Sequence, residues 1–210
     1  MAIQSDIVLW AVDTQVDFML PGGKLYVPGA EKLIPNIKRL VDKSRDGNVL
    51  LIASGCHHKE DDPEFEIFPP HCVRGTRGAE FIPEALASVV TRVHNDPSFA
   101  PPNGLLDNQQ ILIEKQTVDV FESHHAPDIV SKLPREAEIF LFGVVTEYCV
   151  HSAAKGLLDR GRRVSVIHDA IETLNPAAGH ASLNELSSSG ACFISTQQAL
   201  ARLQSPRAIF

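Results

Sequence analysis

The chain has 210 residues, 44% of them hydrophobic and 21% charged, which suits one soluble domain with a substantial core. Its formal net charge of −7 argues against nucleic acid or an anionic membrane as a partner, since both attract basic surfaces. The longest apolar run, residues 7–12, is far too short to cross a bilayer as a helix.

Residues 6–13 form a near-continuous apolar run, the pattern of a strand buried on both faces of a parallel sheet. In residues 31–45, Leu33, Ile34, Ile37, Leu40 and Val41 recur at helical spacing. A second strand is expected over 48–53. Residues 54–102 then break the alternation; they are rich in Pro, His and acidic side chains, and so long a stretch in a compact domain is usually functional. Further strands are expected over 110–114, 138–144 and 163–169, with a weaker candidate at 191–196. A helix over 147–160 ends at Gly161, which suits a left-handed cap. Asn175 and Pro176 open a third helix toward Leu186 as N-cap and first-turn proline. Strands alternating with helices give an α/β layered fold around a parallel sheet. Nothing divides residues 1–210 into more than one domain.

The first residues, Met-Ala-Ile-Gln-Ser-Asp, lack the basic region and apolar stretch of a secretory leader. A cytoplasmic location is therefore expected. Cys56, Cys72, Cys149 and Cys192 are then mainly reduced thiols, without a CxxC pair or zinc-ribbon spacing.

In parallel sheets, ligands gather beyond the carboxyl ends of the strands. Asp13, Lys115 and the segment 143–149 all fall there. Cys149 sits in the first turn of an expected helix, where the dipole favours thiolate and unpaired N–H groups can hold an oxyanion. Each residue alone has a plain reading: a buried structural thiol, a turn-capping Asp and a solvated strand-end Lys. Together they make a nucleophile, a proton acceptor and a charge that stabilises the anion. No histidine sits where it would pair with Cys149; His168 comes closest and reads as a core or edge residue. No glycine-rich phosphate motif follows the first strand.

Four ordered blocks make the pattern specific: Val12-Asp13-Thr14-Gln15-Val16-Asp17-Phe18; residues 68–80, beginning Phe68-Pro69-Pro70-His71-Cys72; Ile113-Glu114-Lys115 with Phe121 downstream; and residues 143–150 around Cys149. With them the chain resembles the isochorismatase-like cysteine hydrolases, nicotinamidase type. The resemblance implies a Rossmann-like three-layer sandwich, a central mainly parallel sheet flanked by helices. It implies a catalytic trio of Asp13, Lys115 and Cys149, and a cis peptide between Val144 and Val145 that turns the Val145 N–H, with that of Cys149, into an oxyanion hole. Phe18 and Phe68 are expected as walls for a flat substrate ring.

The resemblance also implies a divalent metal, zinc or else iron or manganese, on the pyridine nitrogen of a small amide substrate. The ligands it assigns are His57, Glu64 and His71. The aspartate that usually precedes the first histidine by two residues is absent, because position 55 is Gly. His58, Asp61, Asp62 and Glu66 are alternatives for the missing ligand; Cys56 is disfavoured because adjacent side chains diverge on an extended segment. Nicotinamide deamidation is the leading expectation, with a homo-oligomeric assembly implied by the same resemblance. Another small-amide or carbamoyl hydrolase is the runner-up, and a non-catalytic member of the fold the third reading.

Overall fold

A computed structural model describes residues 6–47 and 49–204. Asn48, the first residue of the expected second strand, and residues 1–5, on which the reading of the N-terminus rests, lie outside the described residues.

Seven parallel strands form one sheet: β1 (Ile7–Val12), β2 (Leu50–Cys56), β3 (Val90–Val93), β4 (Gln110–Lys115), β5 (Glu138–Gly143), β6 (Arg163–Ile171) and β7 (Cys192–Ile194). Their order is β3-β4-β2-β1-β5-β6-β7. The central strands read as continuous apolar runs because both of their faces are covered. Along β1, Leu9 and Ala11 join one core with Leu51, Ala53, Phe140 and Phe142, while Val8, Trp10 and Val12 join the other with Leu50, Ile52 and Leu141. Period-two alternation thus sends side chains to two separate cores.

Helices α2 (Ile34–Arg45) and α6 (Thr196–Gln204) cover the first core through Ile37, Leu40, Val41 and Ala199. Helices α3 (Ala126–Lys132), α4 (His151–Asp159) and α5 (Pro176–Ser188) cover the second through Ile129, Val130, Leu157 and Leu186. The three-layer α/β sandwich expected from the sequence is the observed fold. Asn175 caps α5 by accepting the N–H groups of Ala177 and Ala178, as its position before Pro176 predicts.

Four elements are additions to the sequence reading. The short helix α1 (Val16–Met19), α3 and α6 are brief, and β3 is a half-exposed edge strand. Such segments are too short to carry a clear period. Among the described residues no helix is long and apolar enough to cross a membrane.

Candidate active site

The strand order reverses between β1 and β5, and a parallel sheet opens a crevice at such a switch point. Asp13 leaves β1 at φ 48°, a left-handed conformation that Asp tolerates better than most residues. Its N–H donates to the Ser54 carbonyl at 2.9 Å, which ties it to the end of β2. Gly143 ends β5 at φ 120°; a Cβ there would lie 2.0 Å from the Val12 carbonyl oxygen, so only glycine lets β5 close on β1. The Val144–Val145 peptide that follows is cis. Residues Thr146–Val150 then form a π-helical turn ahead of α4. The sequence predicts one ordinary helix here; the wider turn is of a kind that recurs at functional sites. Glu147 pins it by accepting the N–H groups of Leu174 (3.0 Å) and Asn175 (2.7 Å).

Lys115 closes β4, and its register partner on β2 is Cys56. The lysine side chain is 1% exposed and reaches across the end of β2. Its Nζ lies 3.0 Å from Asp13 Oδ2, 3.0 Å from Cys56 Sγ and 3.5 Å from Cys149 Sγ. Asp13, Lys115 and Cys149, far apart in sequence, therefore meet around one ammonium group. Burial by itself pulls the Lys115 pKa down. The charges of Asp13 and of the two cysteines outweigh it and hold the lysine well above its ordinary range.

The Cys149 thiol is pushed the other way from the sequence expectation. Burial and then the Asp13 charge raise it well above its usual value, Lys115 only partly opposing them. The helix terminus does not by itself make a thiolate here. Asp13 Oδ1 is buried and has no hydrogen-bond partner among the described residues.

Of the expected metal ligands, the structure brings Glu64 and His71 together but leaves His57 apart. His57 is turned away from the crevice. Its ring stacks over Phe81, its Nε2 accepts from Arg92 at 2.8 Å, and its Nδ1 lies 3.5 Å from the Gly55 carbonyl. His58 faces the crevice instead. The donor atoms of Cys56, His58, Glu64 and His71 all lie within 4.8 Å of one another. The cause is strand alternation: residues 55 and 57 share the Phe81 side, and residues 56 and 58 share the other. A Cβ at Gly55 would meet the Phe81 Cζ at 2.3 Å, so that position has no room for a ligand side chain. Glu64 and His71, both among the expected ligands, belong to this donor group.

The surrounding hydrogen bonds organise this cluster. Gln15 clamps the Cys56 backbone at both ends, donating to its carbonyl at 2.7 Å and accepting its N–H at 2.7 Å. His58 donates its backbone N–H to the Cys72 carbonyl and accepts that of Arg74, which lays the His71 segment alongside it. Asp17 accepts the Cys72 N–H at 2.7 Å, fixing the same segment from below. His71 Nδ1 contacts the Pro69 carbonyl at 2.8 Å, leaving Nε2 to carry the lone pair. His58 Nε2 lies 3.1 Å from Glu64 Oε2 and its Nδ1 3.1 Å from Asp62 Oδ2, yet neither approach has hydrogen-bond geometry. Buried polar atoms that converge without bonding one another suit ligands arranged around a common point, and the residues present fit a divalent ion. Burial also lowers both imidazoles below their usual value and pushes the Glu64 carboxyl up to about 7.

Phe18, Phe68, Val145, Tyr148, Cys149, Cys56, Glu64 and His71 line one cavity, joining the sulfur nucleophile to the donor cluster. Phe18 and Phe68 both stand edge-on to His71. Tyr148 also lines the cavity, is 39% exposed and stands edge-on to Phe68.

A parallel α/β sheet thus brings an acid, a lysine and a cysteine together at its switch point, and similarity to known proteins places the chain among amidohydrolases. The isochorismatase domain matches residues 8–95 and 90–198, and the chain belongs to that family. The nicotinamidase of Saccharomyces cerevisiae is 25% identical over 194 residues, covering 77% of this chain and 85% of the relative. The nicotinamidase of Escherichia coli is 26% identical over 208 residues, covering 87% and 92%. Among solved structures, the zinc complex of Pyrococcus horikoshii pyrazinamidase is similar at a TM-score of 0.71 and 27% identity, over 91% of this chain and 99% of that one.

Proposed function

We propose that this chain is a metal-assisted cysteine amidohydrolase that converts nicotinamide and water to nicotinate and ammonia. The observation that carries the reading is the meeting of Asp13, Lys115 and Cys149 in a cavity shared with Phe18, Phe68 and a set of metal-type donors. The similarity to two nicotinamidases, each across more than three quarters of this chain, supports the substrate.

The chemistry follows from the neighbours of the sulfur. Asp13 takes the Cys149 proton as the thiolate attacks the amide carbon, and the Lys115 ammonium at 3.5 Å offsets the charge on sulfur. The N–H groups of Val145 and Cys149 hold the oxyanion. Asp13 returns the proton to the departing ammonia, and water then hydrolyses the thioester. A divalent ion on His58, Glu64 and His71 would supply a Lewis acid for a ring nitrogen of the substrate. Phe18 and Phe68 hold the ring and keep water from its faces.

The test is ammonia release from nicotinamide and from a panel of other small amides and carbamoyl compounds, with and without chelator. Nicotinamide should be the fastest, and chelation should suppress it. Cys149→Ala should lower turnover at least about a thousand-fold; undiminished activity in that variant ends the proposal. A carbamoyl compound outpacing nicotinamide would move the chain to the runner-up substrate class.

A further inference from the structure

We infer that Cys56 is a thiolate ligand of the metal centre, which makes the site selective for zinc-type ions over manganese or iron. The inference rests on the metal reading above and concerns a residue which that mechanism leaves unused. Cys56 is 2% exposed, and its sulfur belongs to the same donor group as His58, Glu64 and His71. It occupies the position two before the metal-facing histidine, and alternation along β2 turns both side chains to one side. Gln15, bonded to both the N–H and the carbonyl of Cys56, holds the sulfur's approach fixed.

The chemistry of the donor set then points to the ion. One sulfur, two imidazole nitrogens and one carboxylate suit a borderline-soft cation such as zinc or cobalt. Manganese prefers oxygen donors, and a thiolate is a poor exchange for one. The neighbouring lysine fits the same role. Lys115 Nζ lies 3.0 Å from Cys56 Sγ, so an ammonium donates to the sulfur that would face the ion. Such outer-shell hydrogen bonds orient a ligand and temper its charge. Cys56 therefore joins the metal centre to the Asp13–Lys115–Cys149 group through one sulfur.

Cobalt(II) substitution tests this directly. The wild-type protein loaded with one equivalent of Co(II) should show sulfur-to-cobalt charge-transfer absorption in the near ultraviolet. Cys149→Ala should keep the band. Cys56→Asp and Cys56→Ser should lose it, with Cys56→Asp still binding metal and shifting zinc-over-manganese preference toward manganese by at least about tenfold. A wild-type protein that binds one Co(II) per chain without the band, or a band that survives in Cys56→Asp, overturns the inference and leaves the metal centre standing. Failure of the wild type to bind Co(II) at all overturns both. Ammonia release measured on the same samples before and after chelation tells whether the amidase reading falls with them.

Discussion

Cys56 and Lys115 are register partners at the ends of neighbouring strands, and the lysine ammonium bonds the cysteine sulfur at 3.0 Å while also pairing with Asp13 at the same distance. One buried cation thus compensates a carboxylate and stands beside two thiols. Its removal has a price in stability as well as in catalysis.

Lys115→Met should abolish ammonia release and destabilise the fold by about 3–5 kcal/mol, because it leaves Asp13 charged and unpaired in the interior. Adding Asp13→Asn to it should recover much of that stability and none of the activity, since Asn also accepts the left-handed conformation at position 13. Urea unfolding of the wild type, the single variant and the double variant measures this. Equal stability of wild type and Lys115→Met would show that the pair contributes nothing.

The two adjacent histidines should separate cleanly. His57→Gln leaves the donor cluster untouched and should change metal affinity by less than about tenfold. His58→Gln removes a member of the donor group and, on the proposed function, should lose more than the roughly 10–100-fold typical of outer-shell changes. Metal content after dialysis against graded chelator reads both. Retention by His58→Gln and loss by His57→Gln would restore the original ligand assignment.

The fold was legible because β1, β2, β4 and β5 are buried on both faces and say so in continuous apolar residues such as Val8-Leu9-Trp10-Ala11. Strand ends were legible for the same reason, and with them the convergence of Asp13, Lys115 and Cys149. Which of the adjacent histidines faces the crevice was not. His57 and His58 are identical in type and adjacent, so composition cannot tell them apart, and an aspartate expected at position 55 points to His57, whereas the fold turns His58 to the donor group. Gly55 carries the missing clue only once Phe81 is seen against it. Gln15 and Asp17 were visible as members of a block, but their hydrogen bonds to Cys56 and Cys72 span dozens of residues and exist only in the fold.

That packing gives a prediction about parity. Gly55→Asp restores the expected acid at the expected place, yet its Cβ would overlap the Phe81 ring and approach Gln15 Oε1 to 3.0 Å. The variant should lose about 1–3 kcal/mol from overpacking and gain no metal affinity. Thermal unfolding and metal titration together check it; a stable Gly55→Asp protein with tighter metal binding would mean that β2 presents the opposite face to the crevice.

Far from the crevice, Glu138 opens β5 and ties the last helix to the sheet. Its carboxylate accepts Ser165 Oγ at 2.5 Å, Arg163 Nη2 at 3.1 Å and Arg202 Nη1 at 2.9 Å. Burial would raise its pKa, but the hydrogen bonds from Arg202 and Ser165 and the charges of the two arginines outweigh it and hold the group below its ordinary 4.5. A depressed folded-state pKa contributes stability at pH above the unfolded value, and that contribution is lost as pH falls through the folded one. Glu138→Gln should therefore cost about 1–2 kcal/mol at neutral pH, less than a fully buried pair because both guanidiniums are half-exposed. The gap between wild type and variant should stay constant down to about the ordinary carboxylate range and close below it, as the wild-type Glu138 gains its own proton. Unfolding midpoints across an acid series measure the gap. A difference that widens on acidification would mean that the arginines do not hold the charge.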